Sequence, residues 1–244
     1  MSNGHVIRLS QDDPPETFPS VSATLTGPEG LIAVGGDLSS ERLLFAYQNG
    51  IFPWYNKDQP ILWWSPNPRC VFLPGDFHIS RRLQRELRCS SAELRVNTAF
   101  SKVIRECASP RRSEKGTWIT SDMIKAYEKL YRQGWAHSIE IWESNKLIGG
   151  LYGLAIGQIF FGESMFSRVS NASKIALLFI ANHLESSALK LLDCQVVSTH
   201  LETLGARIIS RSNFIERLSD VSLPSNQFHN WQTEVLPCSK LFNN

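Results

Sequence analysis

The sequence predicts an α+β protein in which a mainly antiparallel sheet is flanked by helices and preceded by a small N-terminal domain. Three observations carry this prediction. Residues 138–166 alternate apolar and polar positions through three segments separated by two short turns, the pattern of an antiparallel meander. Residues 171–189 then change to helical spacing, and an apolar strand word follows at 191–197. The N-terminal third has short elements of its own and breaks at Ser65-Pro66-Asn67-Pro68, which places the expected boundary between a small domain at 1–68 and a larger one at 69–244.

Taken in order, Gly35-Gly36-Asp37-Leu38-Ser39 leads into a short capped helix over 41–49, with Leu43, Leu44, Ala46 and Tyr47 on its apolar face. Residues 50–55 and 61–64 form brief aromatic strands or turns. Residues 78–88 put Arg81, Arg85 and Arg88 at i, i+4 and i+7 on one stripe of a helix, with Arg82 adjacent. The meander strands are expected at 138–142, 147–155 and 159–166, with turns at Glu143-Ser144-Asn145 and around Gly157. A helix over 171–189 follows, with Ile175, Leu178, Phe179 and Asn182-His183 at amphipathic spacing. Its start is the triplet Asn171-Ala172-Ser173, which would be a glycosylation acceptor only in a secreted protein. A strand at 191–197, a helix at 199–205 and a strand at 206–210 complete the order.

A chain of 244 residues, 42% hydrophobic and 20% charged, has ordinary globular composition and is not a disordered segment. No apolar run has the length of a signal peptide core or a membrane span, so a soluble cytoplasmic protein without membrane contact is expected. The five cysteines form no C-x-x-C pair, which argues for free thiols over a disulfide framework or a zinc site. A net charge of +2 and a pI near 8.3 fall short of the pI above ~9 common in nucleic-acid-binding domains. Any RNA contact must therefore come from a local patch. Arg81, Arg82, Arg85 and Arg88 can meet phosphates, and a second cluster of Arg105, Arg111, Arg112 and Lys115 surrounds the turn before Thr117-Trp118. Either cluster fits a merely solvated face as well.

On a strand over 192–196, Asp193 and Gln195 project from one face and Cys194 from the other, so Cys194 is read as a structural thiol and not a nucleophile. By themselves an Asp and a Gln at a strand end can serve neighbouring backbone groups. Glu163, on the preceding strand, can face the same site or pair with Arg168.

Four words stand in order along the chain: Trp63-Trp64-Ser65-Pro66-Asn67-Pro68-Arg69, Thr117-Trp118-Ile119-Thr120, Phe161-Gly162-Glu163-Ser164-Met165-Phe166-Ser167-Arg168 and Leu192-Asp193-Cys194-Gln195. Together they resemble the leucyl/phenylalanyl-tRNA-protein transferase family, from about Phe18 to about Arg211. The resemblance implies a GCN5-related N-acetyltransferase-like fold for the larger domain. It implies transfer of leucine or phenylalanine, with methionine as a further donor, from aminoacyl-tRNA to the α-amino group of proteins with N-terminal Arg or Lys. The product is an N-degron that marks the protein for degradation, and a monomeric enzyme is expected. By the same resemblance Gln195 contacts the attacking amine, Asp193 polarises or positions Gln195, and Glu163 belongs to the acceptor or catalytic network. The donor side chain is matched to Leu151, Phe160, Met165, Leu177, Ile180 and Leu192, each of which alone also fits ordinary core. Leu151 stands where the family word has Met, and Ile180 where an aromatic is familiar. Tyr47, Trp54, Trp118 and Tyr127 match positions around the aminoacyl end, where an unpaired adenine can stack for ~1–3 kcal/mol per base.

A side-chain amide is not a base of useful strength. An α-amine with a pKa of about 7.7–8.0 is partly neutral at cellular pH, however, and orientation alone can supply ~7–11 kcal/mol of a barrier. Gln195 is therefore expected to orient and accept, with the proton lost through Asp193 or water. The junction 167–174 has no glycine, whereas acetyl-CoA users of this fold cradle pyrophosphate on a Gly-rich loop there. No coenzyme A, other cofactor or metal is expected, because the tRNA ester supplies the energy. The rival readings are an acyl-CoA N-acyltransferase on the same fold and a non-catalytic module that binds N-termini or tRNA.

Overall fold

Alternating apolar side chains from three long strands fill both faces of a central sheet, and this two-sided burial organises the molecule. The computed structural model describes residues 4–21, 25–26, 28–109, 117–186, 189–221 and 235–242. In chain order these form β1 (Gly4–His5), β2 (Ile7–Leu9), β3 (Leu25–Thr26), β4 (Leu31–Gly35), α1 (Ser40–Gln48), β5 (Phe52–Pro53), β6 (Leu62–Trp64), β7 (Arg69–Phe72) and α2 (Arg81–Arg88). There follow β8 (Glu93–Val96), α3 (Phe100–Ala108), α4 (Ser121–Arg132), β9 (Ala136–Glu143), β10 (Lys146–Ile156), β11 (Ile159–Ser167), α5 (Ala172–Glu185), β12 (Leu191–Gln195), α6 (Thr199–Glu202), β13 (Arg207–Ile209), α7 (Arg211–Val221) and β14 (Val235–Pro237).

The large sheet has the order β13-β7-β12-β11-β10-β9-β8-β14, and a small sheet has the order β2-β4-β6-β5. In the large sheet the β11–β12 pair is parallel, because α5 lies between the two strands in sequence and a parallel return needs such a crossover. The remaining pairs of that sheet are antiparallel. The α+β class with a meander, a helix and a returning strand is therefore the observed one.

Along β10 and β11 successive residues enter opposite cores. Tyr152, Leu154 and Phe161 pack with Tyr47 of α1, Val103 of α3, Tyr127 of α4 and Trp63 of the small sheet. Leu151, Ala155 and Phe160 pack with Ile175 and Phe179 of α5 and with Leu83 and Leu87 of α2. Helices on both faces explain why β9 is buried almost throughout instead of alternating with solvent. The change of sheet falls between Trp64 and Arg69, while the apolar core runs continuously across it.

Several ends differ from expectation for local reasons. The helix expected over 171–189 ends at Glu185, with 187–188 outside the described residues. Asn171 precedes it in a left-handed conformation without capping through its side chain; the Ser167 hydroxyl accepts from the Ser173 amide instead. The helix at 199–205 stops at Glu202. Gly205 has φ +102, and a Cβ there would lie 1.8 Å from the Asp76 carbonyl oxygen, so the turn requires glycine.

Glu140 on β9 is fully buried and holds the start of α3. Its carboxylate accepts from the backbone amides of Thr98 (2.9 Å) and Ala99 (2.7 Å), from the hydroxyls of Thr98 and Ser138, and from Trp142 Nε1 at 3.0 Å. Hydrogen bonds to a charged group contribute ~1.5–3 kcal/mol each, and buried donors left unpaired cost comparably. Glu140→Ala is expected to destabilise the fold by about 3 kcal/mol or more, read as a lowered urea midpoint at unchanged m-value. A shift smaller than about 1 kcal/mol would show that water replaces the carboxylate.

Candidate active site

Two bulges build the site. Between β10 and β11, Tyr152 pairs with Ser164 and Gly153 with Gly162, so Glu163 is the extra residue. Between β12 and β7, Asp193 pairs with Val71 and Gln195 with Cys70, so Cys194 is extra. A bulge breaks the alternation of side chains and re-aims them. The β11–β12 pairing also stops at Phe161↔Asp193, although β11 runs on to Ser167. A cavity of about 340 Å³ lies against this point and is lined by both Cys194 and Gln195. This corrects the strand reading, in which Cys194 faced away from Gln195. Gln195 closes the strand with φ 58, a conformation no regular strand provides.

The bulged side chains meet in one hydrogen-bond network. Glu163 accepts from Tyr47 Oη (2.6 Å), Tyr127 Oη (2.9 Å) and Gln195 Nε2 (2.9 Å), and the two tyrosine hydroxyls also touch each other. Burial pushes the Glu163 carboxyl up to about 7 against these hydrogen bonds, and both tyrosines are raised well above their ordinary range by burial and the neighbouring carboxylate. Because a carboxylate accepts and does not donate, Nε2 of Gln195 must face Glu163, which leaves Oε1 free to accept from a ligand. Arg168, considered above as a partner for Glu163, pairs with Glu106 instead.

Asp193 is fully buried and is not among the residues lining the cavity. It forms a two-pronged ion pair with Arg69, Nε at 2.9 Å and Nη2 at 2.6 Å, and accepts the backbone amide of Gln195 at 2.9 Å. Asp193 thus holds Gln195 by its main chain, while the side-chain amide of Gln195 bonds to Glu163, so a proton path through Asp193 has no support in this geometry. Arg69 also donates to the Gly50 carbonyl (3.0 Å) and lies over the rings of Phe52 and Phe214. Sequence reasoning passed over Arg69. The available signal was a charged residue opening the apolar strand Cys70-Val71-Phe72.

Leu151, Phe160, Met165, Leu177 and Leu192 line the cavity, but Ile180 does not; it points into the core on the inner side of α5. Trp54 and Trp118 lie at the cavity, Trp54 being 43% exposed and anchored where Trp64 Nε1 donates to its carbonyl. Tyr47 and Tyr127, matched above to the same aminoacyl end, are fully buried and serve Glu163, so neither can stack on a base. The stripe Arg81, Arg82, Arg85 and Arg88 is exposed, with Arg82 paired to Glu86, while Leu83 and Leu87 turn inward. Arg105 of the second basic cluster pairs with Glu128; Arg111, Arg112 and Lys115 lie outside the described residues. An adjoining chamber of about 810 Å³ shares Met165, Ser198 and Leu201 with the cavity. Among the described residues no helix is long and apolar enough to cross a membrane, and no cluster of metal-ligating side chains occurs.

Comparison with known proteins identifies the family. The family described as leucyl/phenylalanyl-tRNA protein transferase matches residues 71–219, and its N-terminal domain matches residues 36–67. A leucyl/phenylalanyl-tRNA–protein transferase of Shewanella baltica is 55% identical over 206 residues, covering 84% of this chain and 87% of the relative. One of Shewanella pealeana is 51% identical over 217 residues, covering 89% and 92%. Among solved structures, a GCN5-related N-acetyltransferase from Kribbella flavida matches with a TM-score of 0.36 and 10% identity over 68% of this chain and 59% of its own length, too remote to carry an argument. With more than half of the aligned residues identical to such relatives over most of the chain, the protein belongs to the leucyl/phenylalanyl-tRNA–protein transferase family.

Proposed function

We propose that this protein transfers leucine or phenylalanine, and methionine as a further donor, from aminoacyl-tRNA to the α-amino group of proteins that begin with Arg or Lys. The product is a protein marked for degradation, formed in the cytoplasm by a monomeric enzyme. One observation carries the reading: an apolar cavity ends at a buried Glu163–Gln195 pair that leaves an amide oxygen to accept. The donor side chain fills the cavity between Leu151, Phe160, Met165, Leu177 and Leu192. The terminal adenosine lies at Trp54 and Trp118, and the exposed arginines of α2 meet backbone phosphates.

In the reaction the neutral acceptor amine attacks the ester carbonyl, a C–N bond forms and the bond to the ribose oxygen breaks. The amine proton ends on that ribose hydroxyl. Gln195 Oε1 accepts an N–H of the incoming amine and aims its lone pair. Glu163 holds Gln195 from one side, and the Arg69–Asp193 pair holds it from the other. The adjoining chamber gives the acceptor chain room beside Ser198. Among the described residues, the Ser173 amide at the start of α5 is already taken by Ser167, and the junction lacks glycine, both of which disfavour an acyl-CoA donor.

The test is transfer of labelled leucine from leucyl-tRNA to a peptide beginning with Arg, beside one beginning with Ala, without ATP or coenzyme A. Label on the Arg peptide alone is the expected outcome. Tight binding of leucyl-tRNA without transfer to either peptide favours a binding module, and transfer of label from acetyl-CoA in a parallel assay favours the acyl-CoA reading.

A further inference from the structure

Two cysteines meet at the bulge that aims Gln195. In the antiparallel β7–β12 ladder Cys70 stands opposite Gln195, and the extra residue beside it is Cys194. This register brings the two thiols within interaction range of each other across the ladder. Cys70 is fully buried, whereas Cys194 is partly exposed and forms part of the cavity wall. Neither residue has a part in the transfer chemistry derived above.

We propose that Cys70 and Cys194 are an oxidation site for hydroperoxides, closing a cross-strand disulfide that shuts the transferase cavity. The peroxide reaches the pair through the cavity and meets Cys194 first. The Cys194 sulfur attacks one peroxide oxygen, an S–O bond forms, the O–O bond breaks, and the leaving oxygen departs as water or alcohol with the thiol proton. Cys70 then attacks the Cys194 sulfur, an S–S bond forms, and the S–O oxygen leaves as water with the second proton. Two thiols and one hydroperoxide thus give a disulfide, water and a second molecule of water or alcohol.

The surroundings suit the second step. The contact between the thiols, joined by a hydrogen bond from the Ser198 backbone amide, holds the Cys70 thiol below the usual range against the opposing effect of burial. The same contact and burial push the Cys194 thiol well above it, so exposure to the cavity and not thiolate character selects Cys194 for the first step. Cys70 is thereby the readier thiolate to resolve a sulfenic acid. Closing the sulfurs from contact to a bond of about 2.05 Å draws Cys194 toward β7 and off the cavity wall. Asp193 and Gln195 flank Cys194 in the chain, so the same movement displaces the amide that orients the amine. The cross-link stands on the geometry of the pair alone; its inhibitory consequence rests on the proposed transfer reaction.

The experiment treats the full-length protein with hydrogen peroxide, maps its peptides without reduction, and follows leucyl transfer in parallel. The exposed Cys89 reports that oxidant was sufficient. The expected result is a peptide joining Cys70 to Cys194, lighter by two hydrogens, with kcat reduced roughly 10²-fold, the scale of a misplacement of about 1 Å. Dithiothreitol should cleave the cross-link and restore kcat. Cys70→Ala should keep basal transfer and form no such peptide. Absence of the cross-link where Cys89 is fully oxidised overturns the site, and a quantitative cross-link with unchanged transfer overturns the shut-off. Reduced protein that transfers nothing tells against the proposed reaction instead, while the peptide map still decides the pair.

Discussion

Replacing Arg69 with methionine is expected to strand the Asp193 carboxylate and to cost both stability and activity. The pair is fully buried on both sides, and removal of one partner from such a pair typically costs ~3–5 kcal/mol because the remaining charge has no water. For a chain of this length that corresponds to a melting temperature lower by roughly 10 °C. Asp193 also holds the backbone amide of Gln195 at 2.9 Å, so the loss extends to geometry. Leucyl transfer should fall on the order of 10²-fold in kcat at temperatures where the variant is still folded. The double variant Arg69→Met/Asp193→Asn removes the stranded charge, so calorimetry should show a partial return of stability with no return of activity. Equal melting temperatures for the single and double variants would contradict the assignment of the cost to an unpaired charge.

Glu163→Gln is expected to stabilise the protein and disable it. Burial raises the Glu163 carboxyl to about 7 in the folded state, against an ordinary value of 4.5. The folded chain therefore binds this proton more tightly than the unfolded chain. The stabilisation from proton binding is fully present below about 4.5 and is lost as pH rises to about 7, a span worth about 3 kcal/mol at 1.36 kcal/mol per unit. A neutral amide carries no such penalty, so the variant should melt above the parent at pH 8, with the gap closing toward pH 4.5. Proton counting agrees with an easily shared site. When Glu163 is ionised, each tyrosine hydrogen points to the carboxylate; when it is protonated, Glu163 can donate to one tyrosine, which then donates to the other.

Activity should follow the ionised form, because the anion fixes Nε2 of Gln195 and frees Oε1. The parent's kcat/KM is expected to rise through pH about 7 with Glu163, and further as an acceptor amine of pKa about 7.7–8.0 loses its proton. In Glu163→Gln the lower limb disappears and kcat falls on the order of 10²-fold, since the new amide can present either end to Gln195. A variant with parental kcat, or one less stable than the parent at pH 8, would show that Glu163 is not the residue that orients Gln195.

Much of this was legible locally. The meander, expected at 138–166 and found at 136–167, announced itself because each strand must offer one face to α5 and the other to α3 and α4, and residues such as Leu151 and Tyr152 fall into opposite cores accordingly. The apolar cavity was legible in five of its six matched positions. Ile180 was misplaced because helical spacing cannot tell a cavity-facing residue from one a turn farther into the core. Tyr47 and Tyr127 were misread for a related reason. An aromatic ring in a chain word fits base stacking as well as burial, and their hydroxyl partner lies 116 and 36 residues away in sequence.

By itself the sequence determined the family, the order of strands and helices from the meander to residue 210, and the set of groups on hand: an acid, an amide, an apolar pocket and exposed arginines. These are properties of single words and of periodicity, which depend on neighbours a few residues apart. Only the tertiary structure decided what each group touches. Whether a strand carries a bulge depends on the register of the strand beside it, and the two bulges turned Glu163, Cys194 and Gln195 out of the alternation that the chain alone suggests. The partners that fix them, Tyr47, Tyr127 and Arg69, arrive from α1, α4 and β7 across long loops of chain. A buried charge settles on whichever partner the packing brings within 3 Å.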